Sequence, residues 1–365
     1  MKGRRLLITG AAGFTGRHAV AYFAAEGAEV TAVVRRCAAE ASVFPAGVQQ
    51  YICDLGDRKA VAGMIGEVMP DQVLHLAGKN SVPESWQDPL LYMETNVMAT
   101  LYLLEALRFQ PASRILVAGS RLKYRPDSAA GPPHPYSLSK TLEELVSLAW
   151  GTLFKQPVLM AEPSNLIGPG PSTGFCSLLA QHIVRSEAAA GRGEAPPAAF
   201  RISSRHVQRD FLDVRDAVRA YGYILDQGET GKIYRIDSGA QRELGEIAGK
   251  LLAHAAAPVE MDWGPQHAEE GQAAASPASA VPAKPSSASA ASPASAVPAK
   301  PSSASAASPA SAVPVQPSSA SADREVLQEE PEDNAAVLGW KPGIGLDRSL
   351  ADIIGYTRAG KEGRI

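Results

Sequence analysis

Short apolar runs alternate with amphipathic stretches along most of this chain, and the alternation predicts its secondary structure. The apolar runs predict strands at 4–9, 29–34, 48–52, 73–78, 114–120, 158–163 and 232–237. Helical periodicity predicts helices near 14–26, 57–68, 89–109, 213–226, 242–254 and 347–357, and another that begins near 135. Strands that alternate with helices in this way form a parallel sheet with right-handed crossovers. We therefore expect an α/β fold of the Rossmann type, with a doubly wound parallel sheet.

A repetitive segment interrupts this pattern before the last helix. The sequence ASPASAVPAKPSSASA occupies residues 275–290 and again 291–306, and the near copy ASPASAVPVQPSSASA fills 307–322. The unit has no bulky apolar face and contains too many prolines for a helix or an interior strand. Such a tract cannot offset its ordering entropy by burial. We expect residues 268–325 to form a disordered Ala/Ser/Pro-rich insertion that acts as a passive spacer.

Composition and charge exclude several kinds of partner. The 365 residues are 45% apolar and carry a net charge of −3, which favours neither nucleic acid nor an acidic membrane surface as a partner. No apolar run approaches the ~18 residues of a membrane span, and the apolar stretch near the N-terminus is too short and too rich in glycine for a signal peptide. Cys37, Cys53 and Cys176 are too far apart for a zinc motif, so no metal is expected. These features predict a cytoplasmic protein.

A glycine-rich turn follows the first predicted strand. The stretch GAAGFTG places Gly10, Gly13 and Gly16 between that strand and a helix. Glycine allows a sharp turn and a close approach of the backbone to a pyrophosphate, and the helix N-terminus offers unpaired N–H groups. We predict that these glycines, together with Phe14 and Thr15, bind a dinucleotide.

The end of the second predicted strand indicates which dinucleotide is bound. An acidic residue there favours NAD, whereas an arginine accommodates the 2′-phosphate of NADP. This chain has Arg35 and Arg36 and no carboxylate until Glu40. NADPH is therefore the preferred cofactor and NAD the alternative. Asp54, followed by Leu55, is a candidate for contact with the adenine.

A phenol and an ammonium group lie four residues apart in the stretch PYSLSK. Tyr136 and Lys140 share one face of a predicted helix that begins near Pro135. A nearby cation lowers the pKa of a phenol, which can then pass a proton near neutral pH. Ser120 ends a predicted strand sixteen residues before Tyr136 and can bring a hydroxyl to the same carbonyl. The three residues predict nicotinamide-dependent chemistry on a carbonyl or a secondary alcohol.

These motifs resemble, in type and order, those of a known family. The stretches GAAGFTG, CDLGD (53–57), HLAG (75–78), Asn96, Ser120, YSLSK and SNLIGPG (164–170) follow the order found in extended short-chain dehydrogenases/reductases of the NAD-dependent epimerase/dehydratase superfamily. Within that family, SVPESWQDP (81–89), RDFLDVRDAVRAY (209–221) and LGWKP (338–342) are most similar to GDP-6-deoxy-4-ketomannose reductases. The resemblance implies a nucleotide-sugar substrate and a homodimer formed through the helices near 89–109 and 136–150.

The resemblance also implies roles for individual residues. Tyr136 would protonate the C4 oxygen of the sugar, Lys140 would hold the nicotinamide ribose, and Ser120 would bond to the carbonyl oxygen. The other implied contacts are Leu76, Ala77, Gly78 and Asn96 with the cofactor, Asn165, Arg185 and Arg209 with the substrate diphosphate, and Ser81 and Glu84 with the sugar. The implied cofactor-binding domain spans 1–163 and is re-entered at about 206–240, and a smaller α/β substrate-binding domain takes 164–205 and 241–365.

Some positions depart from the family pattern. Leu122 stands where sugar 4,6-dehydratases have an acid, so elimination of water is disfavoured. Arg125 replaces a glycine in the loop SRLKYR, Glu162 replaces a common arginine, and residues 264–270 lack an arginine that the reductases have near the guanine. The favoured hypothesis is NADPH-dependent reduction of the C4 ketone of a GDP-4-keto-6-deoxy sugar to a GDP-deoxyhexose. The alternatives are a UDP-hexose 4-epimerase that retains NAD, and a catalytically idle nucleotide-binding protein that binds a partner through its repeats.

Overall fold

A parallel sheet forms the centre of the computed structural model, which describes residues 2–36, 44–264 and 335–362. Its strands are β1 (Arg5–Thr9), β2 (Glu29–Val34), β3 (Gln49–Ile52), β4 (Gln72–His75), β5 (Arg114–Ala118), β6 (Val158–Pro163) and β10 (Ile233–Ile236). They lie in the order β10-β6-β5-β4-β1-β2-β3, and each neighbouring pair is parallel. The chain therefore reverses its winding between β1 and β4, where ligands of such sheets bind at the carboxyl ends of the strands. The predicted fold class is confirmed.

Helices cover both faces of this sheet. The α-helices of the described residues are α1 (Phe14–Ala25), α2 (Arg58–Val68), α3 (Val82–Gln87), α4 (Pro89–Tyr92), α5 (Ala99–Leu107), α6 (Pro135–Phe154), α7 (Phe175–Gly191), α8 (Val214–Gln227), α9 (Leu244–Leu252) and α10 (Leu346–Glu362). On one face, α1 and α8 pack Phe23 and Ile224 into one apolar cluster. On the other, α2 and α5 contribute Met64 and Leu103 to a second cluster. Because helices cover both faces, the inner strands β1, β2, β4, β5 and β6 are largely buried, whereas the edge strand β3 is mostly exposed.

The predicted helix at 89–109 is not α-helical throughout. It consists of α4, a π-helical segment at Met93–Met98 and α5, and the buried side chain of Asn96 lies in the π-helical segment. The short helix α3 before it was not predicted, although Ser81 and Glu84 have the spacing of a helix-capping box. Sequence periodicity identified the long apolar face here but not the local change in helix type.

A smaller lobe follows the large sheet. It contains β7 (Asn165–Ile167), β8 (Phe200–Arg201), β9 (Gln208–Asp213), β11 (Gln241–Glu243) and β12 (Met261–Asp262). β9 pairs in parallel with β7 and antiparallel with β11, while β8 pairs with β12. The helices α7, α9 and α10 form a third apolar cluster beside them. The division into two domains at the predicted boundaries stays a prediction.

The chain returns to the large sheet after the repeats. Ala335 and Trp340 belong to the first apolar cluster, and the Trp340 Nε1–H donates to the carbonyl oxygen of Asp216 on α8 at 3.0 Å. The insertion predicted at 268–325 lies outside the described residues. No helix in the described parts of the chain is long and apolar enough to cross a membrane.

Candidate active site

The glycine turn between β1 and α1 has the geometry of a phosphate cradle. Gly10 has a φ of +65°, and a Cβ there would lie 2.7 Å from the backbone nitrogen of Ala77. A Cβ on Gly16 would overlap the carbonyl oxygen of Gly10. Gly13 is the N-cap of α1, and neither a side-chain cap nor an acidic residue occupies the first turn of this helix. The backbone N–H groups of this turn therefore suit the pyrophosphate of a dinucleotide.

A buried chain of hydrogen bonds fixes this turn to its neighbours. The Thr9 hydroxyl accepts from the backbone N–H groups of Leu76 and Ala77, both at 3.2 Å, and so donates to His75 Nδ1 at 2.7 Å. The other ring nitrogen, Nε2, then carries the hydrogen and donates to the Thr100 hydroxyl at 2.9 Å. Burial lowers the pKa of His75 to about 3, so the ring is neutral at physiological pH. These hydrogen bonds explain why β4 ends at His75, because the N–H groups of Leu76 and Ala77 bond to the Thr9 hydroxyl instead of to a neighbouring strand.

Ser120, Tyr136 and Lys140 come together at the carboxyl end of β5. The Tyr136 hydroxyl donates to Ser120 Oγ at 3.1 Å, and Lys140 Nζ donates to the carbonyl oxygen of Ala118 at 2.8 Å. Tyr136 and Lys140 are only 5% and 7% exposed. The backbone N–H of Leu122 donates to Ser120 Oγ, which leaves the serine hydroxyl hydrogen for another acceptor. The structure thus places the predicted trio together, with Tyr136 bonded to Ser120 and Lys140 bonded to the end of the same strand.

The prediction that the pKa of the Tyr136 phenol is lowered is wrong, because its pKa is raised. Burial raises the pKa of Tyr136, and this effect outweighs the opposing effects of Lys140 and of the bond to Ser120. Glu143 adds to the rise. The sequence could not reveal this sign, because it depends on how deeply the phenol is buried and on a carboxylate one turn further along α6.

Glu143 is an unpredicted member of this group. Its carboxylate is 1% exposed and forms an ion pair with Lys140 Nζ through Oε2. Its other oxygen, Oε1, lies 3.5 Å from the Thr100 hydroxyl. Burial lowers the pKa of Lys140, but Glu143, Tyr136 and Glu144 together outweigh it and the lysine pKa is raised. Burial also raises the pKa of Glu143, against the lowering effect of Lys140. Its position three residues after Lys140, on the same helix face, was the available sequence signal.

The loop after Ser120 is attached to the sheet and to α6 by successive side chains. Arg121 forms an ion pair with Asp237, at 3.0 Å. Lys123 forms ion pairs with Glu144 and with Glu162. The loop that departs from the family pattern therefore supplies the cation that neutralises the unexpected carboxylate of Glu162.

Two further contacts complete this attachment. The Thr141 hydroxyl on α6 donates to the carbonyl oxygen of Tyr124 and accepts from the N–H of the same residue, both at 3.0 Å. Burial raises the pKa of Glu144 to about 7, against the lowering effect of Lys123. Arg125 reaches Asp127 in an exposed ion pair, so the replacement of a glycine leaves the loop intact.

Asn96 joins the segment after β4 to α6. Its Oδ1 accepts from the N–H of Lys79 at 2.7 Å, and its Nδ2 donates to the carbonyl oxygen of Lys79 and to Ser139 Oγ. A Cβ on Gly78 would lie 3.1 Å from Asn96 Oδ1. Asn96 thus holds the predicted cofactor-binding stretch HLAG in place, and its contact with a cofactor stays a prediction.

The residues predicted to face the sugar lie at the start of α3. Ser81 Oγ accepts from the N–H of Glu84 at 3.3 Å as the N-cap of this helix. The Glu84 carboxylate pairs with Lys79 and lies 3.0 Å from the hydroxyl of Tyr92. Both side chains therefore have structural partners, and their contact with a sugar stays a prediction.

The residues predicted to bind the diphosphate are placed by the smaller lobe. Asn165 begins β7, and its Nδ2 donates to the carbonyl oxygen of Asp210 in the paired strand β9 at 2.9 Å. Arg209 is the preceding residue of β9, and its exposed guanidinium donates to the carbonyl oxygen of Gln208. Arg185 is exposed on α7. The strand register places Asn165 opposite Phe211, two residues after Arg209, while Arg185 lies on a separate helix. Contact of these three residues with a diphosphate stays a prediction.

The candidate cofactor-selecting residues lie at the ends of β2 and β3. Arg35 and Arg36 directly follow β2 and are exposed. Asp54 follows β3, and its Oδ1 accepts from the N–H of Gly56 at 3.0 Å, while Leu55 is partly buried against the second apolar cluster. Their positions at the carboxyl edge agree with the predicted roles, which stay predictions.

Two aromatic residues that sequence reasoning missed enclose the ring of Tyr136. His134 stacks on it with ring centroids 5.9 Å apart, and Tyr92 meets it edge-on at 6.2 Å. His134 Nδ1 also accepts from the N–H of Ser137 and so caps α6. Histidine is not among the preferred N-cap residues, so neither its capping of α6 nor its stacking on Tyr136 could be read from the sequence.

Comparison with known proteins decides the family. Residues 6–237 match the NAD dependent epimerase/dehydratase family. The chain belongs to this family. The resemblance predicted from the motifs is therefore confirmed.

Individual relatives narrow the range of reactions. The chain is 31% identical to a GDP-6-deoxy-D-mannose reductase of Pseudomonas aeruginosa over 262 residues, which is 68% of this chain and 79% of that protein. It is 29% identical to a dTDP-glucose 4,6-dehydratase of Streptomyces griseus over 282 residues, which is 71% of this chain and 80% of that protein. The family and these relatives indicate an NAD(P)-dependent nucleotide-sugar enzyme, whether a reductase, a dehydratase or an epimerase.

A solved structure supports both the fold and the cofactor class. The structure of RMD from Pseudomonas aeruginosa complexed with NADPH matches this chain with a TM-score of 0.65 and 25% identity, covering 98% of this chain and 99% of that one. The expectation of a nicotinamide dinucleotide is thus confirmed by what this family and this neighbour bind, and the glycine cradle described above fits its phosphates.

Proposed function

We propose that the protein is an NADPH-dependent reductase that acts on the C4 ketone of a GDP-4-keto-6-deoxy sugar. The observation that carries this proposal is the buried Tyr136–Ser120 hydroxyl pair beside Leu122, whose apolar side chain replaces the acid of the dehydratases. A leucine can neither remove nor supply a proton, so loss of water from the sugar lacks its acid. The similarity to a GDP-6-deoxy-D-mannose reductase supports the same reaction and the same substrate class.

The chain's own residues account for the protonation half of the reaction. The bound dinucleotide supplies the hydride. The Tyr136 hydroxyl gives its proton to the carbonyl oxygen, and the Ser120 hydroxyl donates a hydrogen bond to the same oxygen as negative charge develops. The Lys140 ammonium stabilises the tyrosinate that remains. The aromatic rings of Tyr92 and His134 restrict water around Tyr136.

The two arginines after β2 support NADPH rather than NAD. Arg35 and Arg36 are exposed at the carboxyl edge where the adenosine ribose lies in such folds. An arginine there can pair with the 2′-phosphate, which NAD lacks. Asn165 on β7 and Arg209 on the neighbouring strand β9 are the proposed ligands of the substrate diphosphate.

Absorbance of the reduced nicotinamide tests the reaction. Purified protein mixed with NADPH and GDP-4-keto-6-deoxymannose should oxidise NADPH, and Tyr136→Phe should reduce the rate by about 100- to 10,000-fold. Absence of oxidation with this or any related ketosugar would refute the proposal. Release of tightly held NAD on denaturation would indicate a 4-epimerase instead. NADPH binding without turnover in either protein would indicate an idle nucleotide-binding protein.

We also propose that two copies associate through α3, α4, α5 and α6. Large apolar side chains are exposed on α3, α4 and α6, including Trp86 at 63%, Leu90 at 71% and Leu153 at 69% exposed. Met98 in the π-helical segment and Phe109 just after α5 are also exposed. Leu145 and Leu153 are eight residues apart on α6 and so share one face. Sedimentation should show a dimer for the wild type and a monomer for Leu145→Lys, and a monomeric wild type would refute this part of the proposal.

A further inference from the structure

The catalytic lysine has a buried anionic partner that the proposed mechanism does not use. Among the described residues, Lys140 Nζ donates to the carbonyl oxygen of Ala118 at 2.8 Å and forms an ion pair with the carboxylate of Glu143. The side chains of Lys140 and Glu143 are 8% and 1% exposed, so water screens this pair little. An unpaired ammonium group beside Tyr136 would strongly favour the tyrosinate. An ammonium group that is paired with a carboxylate favours the tyrosinate less, because the negative charge of the carboxylate offsets part of its attraction.

The carboxylate of Glu143 is held mainly by its burial and by Lys140. Glu143 Oε1 lies 3.5 Å from the Thr100 hydroxyl, but that hydroxyl donates its hydrogen to the carbonyl oxygen of Asn96 at 2.7 Å. The ion pair with Lys140 is therefore the contact that fixes the two charges relative to each other.

The other groups around Tyr136 do not supply a competing charge. His134 stacks on the phenol, but burial lowers its pKa and keeps it neutral. Tyr92 meets the ring edge-on, and burial raises its pKa, so it too is uncharged. Glu144 faces away, in an ion pair with Lys123. Charge at the Tyr136 hydroxyl is therefore set by Lys140 and Glu143.

We propose that Glu143 is a positioning residue, which holds the ammonium of Lys140 and keeps the Tyr136 hydroxyl in its protonated, proton-donating form. The proposal rests on the proposed reductase function, and it explains why the site would favour reduction of a carbonyl over oxidation of an alcohol. Reduction needs a phenol that donates a proton to the carbonyl oxygen. Oxidation of an alcohol, the first step of an epimerase or a dehydratase, needs a tyrosinate that accepts one. A carboxylate that offsets the positive charge of Lys140 favours the protonated phenol.

The pH profile of the Glu143→Gln variant tests this. Glutamine has nearly the same shape and removes the negative charge. The alkaline limb of kcat/KM for reduction should move about one pH unit lower, a loss of about tenfold at the alkaline end with little change at the acidic end. Glu143→Asp, which keeps the charge, should retain most of the wild-type profile. Glu229→Gln, an exposed carboxylate between α8 and β10, is the matched control.

An alkaline limb that stays in place or moves higher in Glu143→Gln overturns the proposal, as it would if Glu143 were protonated or purely structural. Titration of the tyrosinate by ultraviolet absorbance, with Tyr136→Phe subtracted, gives a second readout that needs no turnover. A wild type that fails to reduce a ketosugar would refute the proposed function, while this titration would still decide the role of Glu143.

A paired variant covers the case in which the single one does not fold. Breaking a buried ion pair costs far more than removing both charges. Lys140→Met with Glu143→Gln should therefore fold. Because it removes both the lysine and the carboxylate that offsets it, Tyr136 should ionise in it at nearly the wild-type pH. Ionisation at a clearly higher pH than in the wild type would overturn the proposal, because the lysine would then have acted without an offset.

Discussion

Lys123 and Glu162 form an ion pair that connects the loop after Ser120 to strand β6. Their side chains are 28% and 7% exposed, and Lys123 also pairs with Glu144 at 2.6 Å. Glu162 departs from the family pattern, and Lys123, in a loop that also departs from it, provides the cation that this carboxylate needs. The departures that suggested an idle protein are therefore consistent with an intact site.

Lys123→Met should weaken this attachment. It would leave Glu144 and Glu162 facing each other without a cation, which should cost about 3–5 kcal/mol of unfolding free energy. Since Ser120 is three residues away in the same loop, kcat should fall more than KM changes. Urea unfolding and steady-state kinetics measure the two effects, and adding Glu162→Met should recover part of the stability. Unchanged kcat in Lys123→Met would show that the ion pair does not position Ser120.

Gly16→Ala should abolish tight binding of the dinucleotide. A Cβ at this position would overlap the carbonyl oxygen of Gly10, so the phosphate cradle cannot close in its present form. We expect NADPH affinity, measured by fluorescence titration, to fall at least about tenfold. Gly63→Ala on α2 is the control, because a Cβ there meets no atom within 4 Å. That variant should bind NADPH normally and gain about 0.5–1 kcal/mol of stability.

The buried ring of His75 should make the protein sensitive to acid. Its pKa in the folded state is about 3, below the ordinary value of 6.5. A depressed pKa gives stability that is complete above pH 6.5 and is lost as the pH falls towards 3, because only the unfolded chain takes up the proton. His75→Gln should unfold with a flatter pH dependence between about pH 5 and pH 7. A wild type and a variant with parallel pH profiles would contradict a neutral His75.

Removal of residues 275–322 should leave the enzyme intact. The chain is anchored on both sides of the repeats, by β12 pairing with β8 before them and by Trp340 in the first apolar cluster after them. The deletion variant should keep the wild-type melting temperature, turnover and oligomeric state. Trp340→Ala, which empties a site that is 2% exposed, should by contrast lose about 3–5 kcal/mol. Loss of dimerisation or activity in the deletion variant would give the repeats a function.

The sequence was sufficient for the features that depend on local pattern. Strand ends, glycine spacing and the four-residue interval between Tyr136 and Lys140 predicted the sheet, the cradle and the hydroxyl pair with Ser120. The boundaries of α7 and the π-helical segment around Asn96 were not predicted, because the first depends on packing against α9 and α10 and the second on a polar side chain buried between elements.

Electrostatic features depended on the fold. Glu143 and Lys123 are ordinary charged residues in the sequence, and only their burial beside Lys140 and Glu162 gives them influence. The predicted direction of the Tyr136 pKa shift was wrong for the same reason, since burial raises this pKa while the charge of Lys140 lowers it. Contacts between residues far apart in sequence, such as Arg121 with Asp237, have no local signature.

The last described segment of the chain, residues 335–362, is held by two separate interfaces. Trp340 enters the cluster beneath α8, where Asp216 Oδ2 accepts from the N–H groups of Gly343 and Ile344, while Leu350 and Ile353 on α10 pack into the cluster of the smaller lobe. Because both interfaces are non-covalent, we expect a polypeptide cut between Gly264 and Ala335 to hold together through them. The two fragments, expressed separately, should then reassemble as a split protein.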